Sequence, residues 1–344
     1  MPDSPLATLL LQTAFIGDVI LATALVEHLA LHAPHAPLDV LVRRGNEGLL
    51  AGNPHIRRVL VWDKKSRKYP NLLRLLGQIR RERYGQVVTL QRFASTGFLT
   101  AFSGAPVRAG FAENPFSRFF TRRVPHVIGD GTHEVTRNLR LLTEAVCAPA
   151  LPRPRLYPTL ADEGAAAPYA AVGEYVCLAP TSVWFTKQYP EEKWLELLAA
   201  LPASLPVYLL GGPPDAAACE RLAQAAARPG LVNLSGKLSL LASAALMRGA
   251  VLNYVNDSAP LHLCSATDAP VCTIFCSTVP AFGFGPLSTF SRIVEHPGPL
   301  ACRPCGLHGH ARCPLGHFRC AREIETPQLL AVLAEARAWR AAAN

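Results

Sequence analysis

Apolar residues come in short blocks separated by longer stretches of helical period. Leu6 to Gln12 is an apolar run ending in the small-residue turn Thr13-Ala14-Phe15-Ile16-Gly17-Asp18, after which apolar positions recur at helical spacing from Val19 to about His32. This reads as strand, loop, helix. The same reasoning predicts strands at Leu38 to Val42 and Val59 to Trp62, a helix at Asn71 to Arg83, a strand at Gln86 to Leu90 and a helix around Glu134 to Val146. Between Cys147 and Tyr169 the pattern lapses into Pro149, Pro152, Pro154, Pro158 and an Ala-rich stretch, which reads as a linker. Beyond it come strands at Tyr175 to Leu178, Pro206 to Leu210, Val251 to Val255 and Val271 to Phe275. Helices are predicted at Pro190 to Leu201, Asp215 to Ala226, Ser239 to Arg248 and Pro260 to Ala266. A last helix, Thr326 to Ala343, follows a segment rich in Cys, His, Gly and Pro.

Strands alternating with helices over this length imply a parallel sheet covered on both faces, so the fold class is α/β. A chain of 344 residues, half of them apolar, is long enough for two cores of ordinary size. The expected division is 1–165, 166–325 and a closing helical segment, 326–344. Neither half carries the G-x-G-x-x-G turn of a dinucleotide fold, which removes the main support for hydride transfer. Ligands in open parallel sheets bind beyond the carboxyl ends of the strands, so the informative loops are those that follow strands.

Composition narrows the setting. No membrane span or signal peptide is visible, and ten cysteines in a large chain read as reduced thiols or metal ligands, so a cytoplasmic protein is expected. The net charge of +9 is uneven: from Arg43 to Arg92 there are thirteen Lys or Arg against Glu47, Asp63 and Glu82. That excess suits an anionic partner or membrane surface, or is simply a solvated basic face. No helix-turn-helix, RNP aromatic pattern or zinc-finger spacing accompanies it, so no nucleic-acid partner is expected.

Four post-strand loops carry candidate chemistry. Asp18, just before a helix, is either an N-cap or a carboxylate able to take a proton from an attacking hydroxyl, two roles that compete for the same lone pairs. The loop Ala179 to Pro190 offers the hydroxyls of Thr181 and Ser182 and the cation of Lys187, which suit phosphate oxygens; alone, Lys187 is an ordinary lysine flanking a helix start. In Asn256-Asp257-Ser258-Ala259-Pro260-Leu261-His262, Asp257 or Ser258 can cap a helix whose first-turn amides form an anion site, and His262 returns to the face of Ser258. A ribose hydroxyl or backbone amides suit Asp257 better than a phosphate does. Gly211, Gly212 and Asp215 form a fourth loop, either a close approach for a base or ribose or a plain turn.

Taken together, these loops resemble glycosyltransferase family 9, the bacterial heptosyltransferases of the lipopolysaccharide inner core. The resemblance rests on G-D-V-I-L-A-T-A-L after the first strand, on P-T-S-x-x-x-T-K-x-Y-P-x-E-x-W and on L-G-G-P-x-D. It rests further on L-S-G-K-L-S-L-x-x-x-A-A-L-M leading to N-D-S-A-P-L-H-L-x-S-A. It implies a GT-B fold, two Rossmann-like domains facing across a cleft, with the acceptor on the first, the nucleotide sugar on the second and the closing helix crossing back to the first. It implies inverting transfer with no cofactor required for catalysis. Asp18 would be the base, Thr181, Ser182 and Lys187 would hold the diphosphate, and Asp257, Ser258 and His262 would line the donor site. ADP-heptose would be the donor and an anionic lipid-linked glycan carrying Kdo the acceptor, met transiently at the inner-membrane surface. Ala259 stands where many members have Gly, and Tyr189 where Trp is common. A sugar-nucleotide epimerase of similar architecture is the alternative.

The motif C-x-x-C of Cys302 and Cys305, followed by Cys313 and Cys320, leaves two readings open. Four thiols can bind a structural zinc tetrahedrally, or they can pack as small apolar residues in a reduced loop.

Overall fold

The computed structural model describes residues 6–142 and 152–343. It divides into two compact units, Met1–Tyr157 and Pro158–Asn344. The first contains β1 (Thr8–Leu11), α1 (Ile16–His32), β2 (Leu38–Arg43), β3 (Arg58–Trp62), α2 (Lys68–Glu82) and β4 (Gln86–Thr89). It continues with α3 (Ala94–Ala101), β5 (Val107–Phe111), β6 (Arg122–Val124) and α4 (Glu134–Leu139). The strands form one sheet in the order β3-β2-β1-β4-β5-β6, and every pairing is parallel.

The second unit opens with α5 (Leu160–Ala170), β7 (Val176–Ala179), α6 (Glu191–Ala200), β8 (Val207–Leu209), α7 (Ala216–Ala226) and β9 (Leu231–Asn233). It continues with α8 (Leu240–Gly249), β10 (Leu252–Asn256), α9 (Ala259–Thr267), β11 (Val271–Phe275), β12 (Ser291–Glu295), α10 (Arg319–Arg322) and α11 (Thr326–Ala343). Its sheet runs β12-β11-β10-β7-β8-β9, also parallel throughout. Read from the first strand of each unit, the two orders are the same, that of a doubly wound nucleotide-binding fold. The central strands β1, β4, β7, β10 and β11 are buried along their whole length, which is why they are mostly apolar with no alternation of polar positions along one face.

Several elements missing from the sequence pattern are short or at sheet edges. β6 and β9 have three residues each, too few to display a period. β5 contains Gly110, where a Cβ would stand 2.5 Å from the Phe120 ring, so the absence of a side chain there is a packing requirement. Of the helix expected over Glu134 to Val146, Glu134–Leu139 is observed, and Thr143 to Val146 lies outside the described residues.

Two expectations are corrected. The stretch read as linker contains α5, and the division falls between Tyr157 and Pro158 rather than near residue 165. Its start is a capping box: Thr159 Oγ1 accepts from the Asp162 amide while the Asp162 carboxylate accepts from the Thr159 amide. Ser239 Oγ donates to Asp162 at 2.6 Å and Arg248 pairs with Glu163 at 2.8 Å, fastening α5 to α8. The closing helix, expected to cross to the first domain, belongs to the core of the second. Leu329, Val332, Leu333 and Ala336 of α11 are buried with Trp194, Leu197 and Tyr254, and the Tyr254 hydroxyl donates to the Leu329 carbonyl at 2.9 Å. Among the described residues no helix is long and apolar enough to cross a membrane.

Because Leu329 is fully buried in that core, Leu329→Ala is expected to cost about 3 kcal/mol of stability. Urea unfolding in a Trp62→Phe background, where the remaining tryptophans all report the second unit, measures it. A loss below about 0.5 kcal/mol would mean that α11 is not part of this core.

Candidate active site

In each sheet the neighbouring first and fourth strands send their following helices to opposite faces, so the loops at their carboxyl ends part and leave a crevice. A buried amide side chain ties each pair of loops together. In the first unit the Gln91 side-chain oxygen, just past β4, accepts from the Thr13 amide at 3.1 Å and the Thr13 hydroxyl at 2.7 Å. In the second, the Asn256 amide at the end of β10 donates to the Pro180 carbonyl at 2.9 Å while its oxygen accepts from the Tyr189 amide at 2.9 Å. Both are buried, so breaking either tie would strand polar groups away from water.

Asp18 sits in the first turn of α1, and the N-cap is Phe15, which uses no side chain. The capping role weighed for Asp18 is therefore not the one adopted. The backbone amides of Phe15 and of Asp18 itself favour its anion, but its pKa is pushed up to about 6, first by burial and then by the Glu134 carboxylate. Glu134, at the start of α4, is an anion held by two partners: His126 Nε2 lies 3.2 Å away and Arg137 Nε donates at 2.8 Å. Burial pushes Glu134 up, but His126 and Arg137 outweigh it and hold its pKa below the ordinary carboxylate value. Arg43 acts on Asp18 in the opposite sense. Lys64 completes this edge: its Nζ donates to the Thr13 carbonyl at 2.7 Å and lies 4.9 Å from the Trp62 ring, and burial brings its pKa down to about 8.

The basic stretch is therefore not one uniform face. Arg57 and Arg58 converge on the fully buried Asp39, both at 2.8 Å, and Arg58 also pairs with Glu82 at 2.6 Å. Asp39 is the second residue of β2, at the opposite end of the sheet from Asp18, so these arginines stabilise the fold and are taken out of any anion site.

In the second unit Lys187 and Asp257 form one ion pair, Nζ to Oδ2 2.7 Å, across the crevice between the β7 and β10 loops. Asp257 also accepts from the Thr278 hydroxyl at 2.6 Å. Ser258 occupies the N-cap of α9, but its side chain caps no amide; its Oγ reaches 3.5 Å back to the Asn256 carbonyl. The positive end of α9 is thus left without a side-chain cap. His262 is buried on the same helix. Thr181 and Ser182 are half-buried on the Lys187 loop, and their carbonyls are used, by Asn256 at 3.4 Å and Gln188 at 2.7 Å. The glycine loop has turn chemistry: the Asp215 carboxylate accepts from the Gly212 amide at 2.8 Å, and a Cβ on Gly211 would lie 2.8 Å from the Asp215 side chain.

The cysteine segment is packed onto the Lys187 loop. The Thr186 amide donates to the His310 carbonyl at 3.1 Å, the His310 amide donates to the Thr186 hydroxyl at 2.7 Å, and Ser277 Oγ donates to Thr186 at 3.1 Å. Gly309, at φ +78°, fits because a Cβ would stand 2.8 Å from Thr186 Oγ1. Cys302, Cys305, Cys313 and Cys320 line one cavity of about 310 Å³ with Thr186 and Ser277. Among the described residues no three His, Cys, Asp or Glu side chains are grouped to hold a metal ion. Cys320 is buried in the apolar core, which pushes its thiol up to about 11, and Cys313 packs against that core.

Sequence reading named Asp18, Lys187 and Asp257 but assigned nothing to Gln91, Glu134, Lys64, Thr278 or the side chain of Asn256. Gln91 and Asn256 were findable as amides where strands four of each half end. Glu134 had no local signal of its effect on Asp18, which lies on another helix.

The same double-sheet architecture occurs in the glycosyl transferase family 9 structure from Veillonella parvula DSM 2008, at TM-score 0.83 and 19% identity, covering 97% of this chain and 99% of that one. It occurs also in E. coli ADP-heptose lps heptosyltransferase II, at TM-score 0.80 and 18% identity over 96% and 98% of the two chains. The fold is GT-B, and the protein is a glycosyltransferase. The family model for glycosyltransferase family 9 (heptosyltransferase) matches residues 72–307, and the chain belongs to that family. It is 31% identical over 320 residues to lipopolysaccharide heptosyltransferase 1 of Pseudomonas aeruginosa, which is 86% of this chain and 85% of that protein.

Carbon-13 NMR of the Asp18 carboxyl is expected to titrate with a midpoint near 6. Replacing the neighbouring anion, Glu134→Gln, removes a negative charge that disfavours ionisation of Asp18, so the midpoint moves down. A wild-type midpoint near the unperturbed value of about 4 would contradict the burial of this group.

Proposed function

We propose that the protein transfers a heptose from ADP-heptose to the Kdo or heptose region of the lipopolysaccharide inner core, with inversion and without a metal. The observation that carries the reading is the Lys187–Asp257 pair beside the uncapped start of α9, at the switch point of a nucleotide-type sheet. The names of the family relatives supply the sugar and the acceptor class.

In this reaction the Asp18 carboxylate takes the proton of an acceptor hydroxyl while that oxygen bonds to the anomeric carbon from the face opposite the nucleotide. The bond from that carbon to the β-phosphate oxygen breaks, and its electron pair leaves with ADP. A base with a pKa near 6 is ionised at neutral pH yet more basic than an ordinary aspartate, as general-base catalysis requires. Lys187 has three N–H donors, of which Asp257 takes one, leaving others for phosphate oxygens. The Thr181 and Ser182 hydroxyls, the α9 amides and His262 complete the donor site, with the Gly211-Gly212-Asp215 turn at its margin. Charge on the departing diphosphate is met by fixed donors, which need no reorganisation when the bond breaks. Arg43 and Lys64 stand where they attract an anionic acceptor. Since that acceptor is lipid-linked, the enzyme works at the cytoplasmic surface of the inner membrane.

Incubation with ADP-heptose, with and without a Kdo-bearing lipid acceptor, tests the reading through ADP release. Release that depends on the acceptor and persists in EDTA is expected; conversion of the sugar nucleotide without acceptor would instead identify an epimerase. Asp18→Asn should lower kcat by roughly 10³-fold with ADP binding kept. Lys187→Ala should lower kcat by roughly 10²-fold or more and weaken ADP binding; unchanged ADP affinity in that variant would remove Lys187 from the donor site.

A further inference from the structure

The first unit exposes an aromatic face that the reaction does not use. Phe93 stands at the N-cap of α3, Phe98 and Phe102 follow on that helix or at its end, and Phe116 and Phe119 flank a short turn against it. Phe98 to Phe102, Phe102 to Phe119 and Phe98 to Phe116 have ring centroids 5.1, 5.5 and 5.9 Å apart, forming a continuous patch. Phe102 is 40% and Phe119 37% exposed, unusual for large apolar side chains gathered in one place, and Phe93, at the far end of α3, is 58% exposed.

The charge around the patch is mostly positive. From Gln91 to Val124 there are five arginines, Arg92, Arg108, Arg118, Arg122 and Arg123, and one acid, Glu113. The Arg118 guanidinium lies 4.7 Å from the Phe119 ring centre, and Arg92, Arg118 and Arg123 are exposed. The platform is stiff: Asn114 Nδ2 donates to the Gln91 and Phe93 carbonyls at 3.0 and 3.1 Å, and a Cβ on Gly97 would stand 1.9 Å from Asn114 Oδ1. Gln91 also holds Thr13, on the loop leading to Asp18, so patch and base are braced to the loops at the carboxyl ends of β1 and β4.

We propose that this Phe and Arg face seats the first unit on an anionic lipid bilayer. Aromatic rings enter the interfacial layer while guanidinium groups remain at phosphate depth, and each basic group near an anionic surface adds attraction. A protein partner would need a complementary acidic surface around an apolar pocket; a bilayer of anionic phospholipid supplies both without a specific shape. The surface deepens the reading of a lipid-linked acceptor, but the binding it predicts can be measured without any turnover.

Sedimentation with vesicles of phosphatidylglycerol and phosphatidylethanolamine tests it, with phosphatidylcholine vesicles as control. The full chain is expected to bind the anionic vesicles, less so as salt rises, and a Phe102→Ser/Phe119→Ser variant to bind at least tenfold more weakly. Arg118→Glu, a change at an exposed side chain, should weaken binding about fivefold or more with its melting temperature unchanged. On a deacylated, water-soluble acceptor both variants should keep kcat/KM within about twofold of wild type. Wild-type protein that ignores anionic vesicles, variants that bind them as well as wild type, or equal loss on the soluble acceptor would each overturn the assignment. Vesicle binding that is lost in the variants, in a protein that turns over no heptose acceptor, would sustain this surface and defeat the proposed reaction instead.

Discussion

The Asn256 carboxamide, buried where β10 ends, holds together the two loops that form the mouth of the second sheet. Parallel strands order these loops only up to the last backbone pairing; beyond it the chain must diverge to reach helices on opposite faces. A side chain with both a donor and an acceptor can close that gap from below while leaving the space above it open. Gln91 ties the loops of the first sheet through its side-chain oxygen alone, which accepts twice from Thr13. Because each amide is shielded from water, its hydrogen bonds have no competitor, and the positions of Lys187, Asp257 and the Thr13 loop follow from them.

Charge at the two mouths is arranged by the same economy of partners. In the second unit opposite charges are adjacent, so Lys187 is a fixed donor whose remaining N–H groups can act on an anion. In the first unit like charges are near one another: Glu134 stays ionised through His126 and Arg137, and its field makes Asp18 harder to ionise. The Asp39 cluster shows the contrasting case. There every charge is met within the protein, at the far end of the sheet, and the arginines are structural.

The cysteine segment acquires a mechanical role. Its hydrogen bonds with Thr186 and its contact through Gly309 brace the loop that carries Lys187, while Cys320 and Cys313 pack with the apolar core.

The sequence by itself determined the alternation of strands and helices, the two parallel sheets and the post-strand loops that hold Asp18, Lys187 and Asp257. Burial on both faces writes these central strands as apolar runs, and the turn from strand to helix demands its own residues. The family resemblance, carried by ordered motifs, was legible for the same reason. Only the tertiary structure decided the rest. Short edge strands carry too little burial to leave a pattern, and α5 looked like a linker because its stability comes from a capping box and contacts with α8 rather than from an apolar stripe. The closing helix was amphipathic in either assignment, and only the partners of Leu329 and Ala336 fixed where it packs. Likewise the pairing of Lys187 with Asp257 and the field of Glu134 on Asp18 join residues far apart in the chain. Sequence supplies the charges, but distance and desolvation, which set their energies, exist only once the chain has folded.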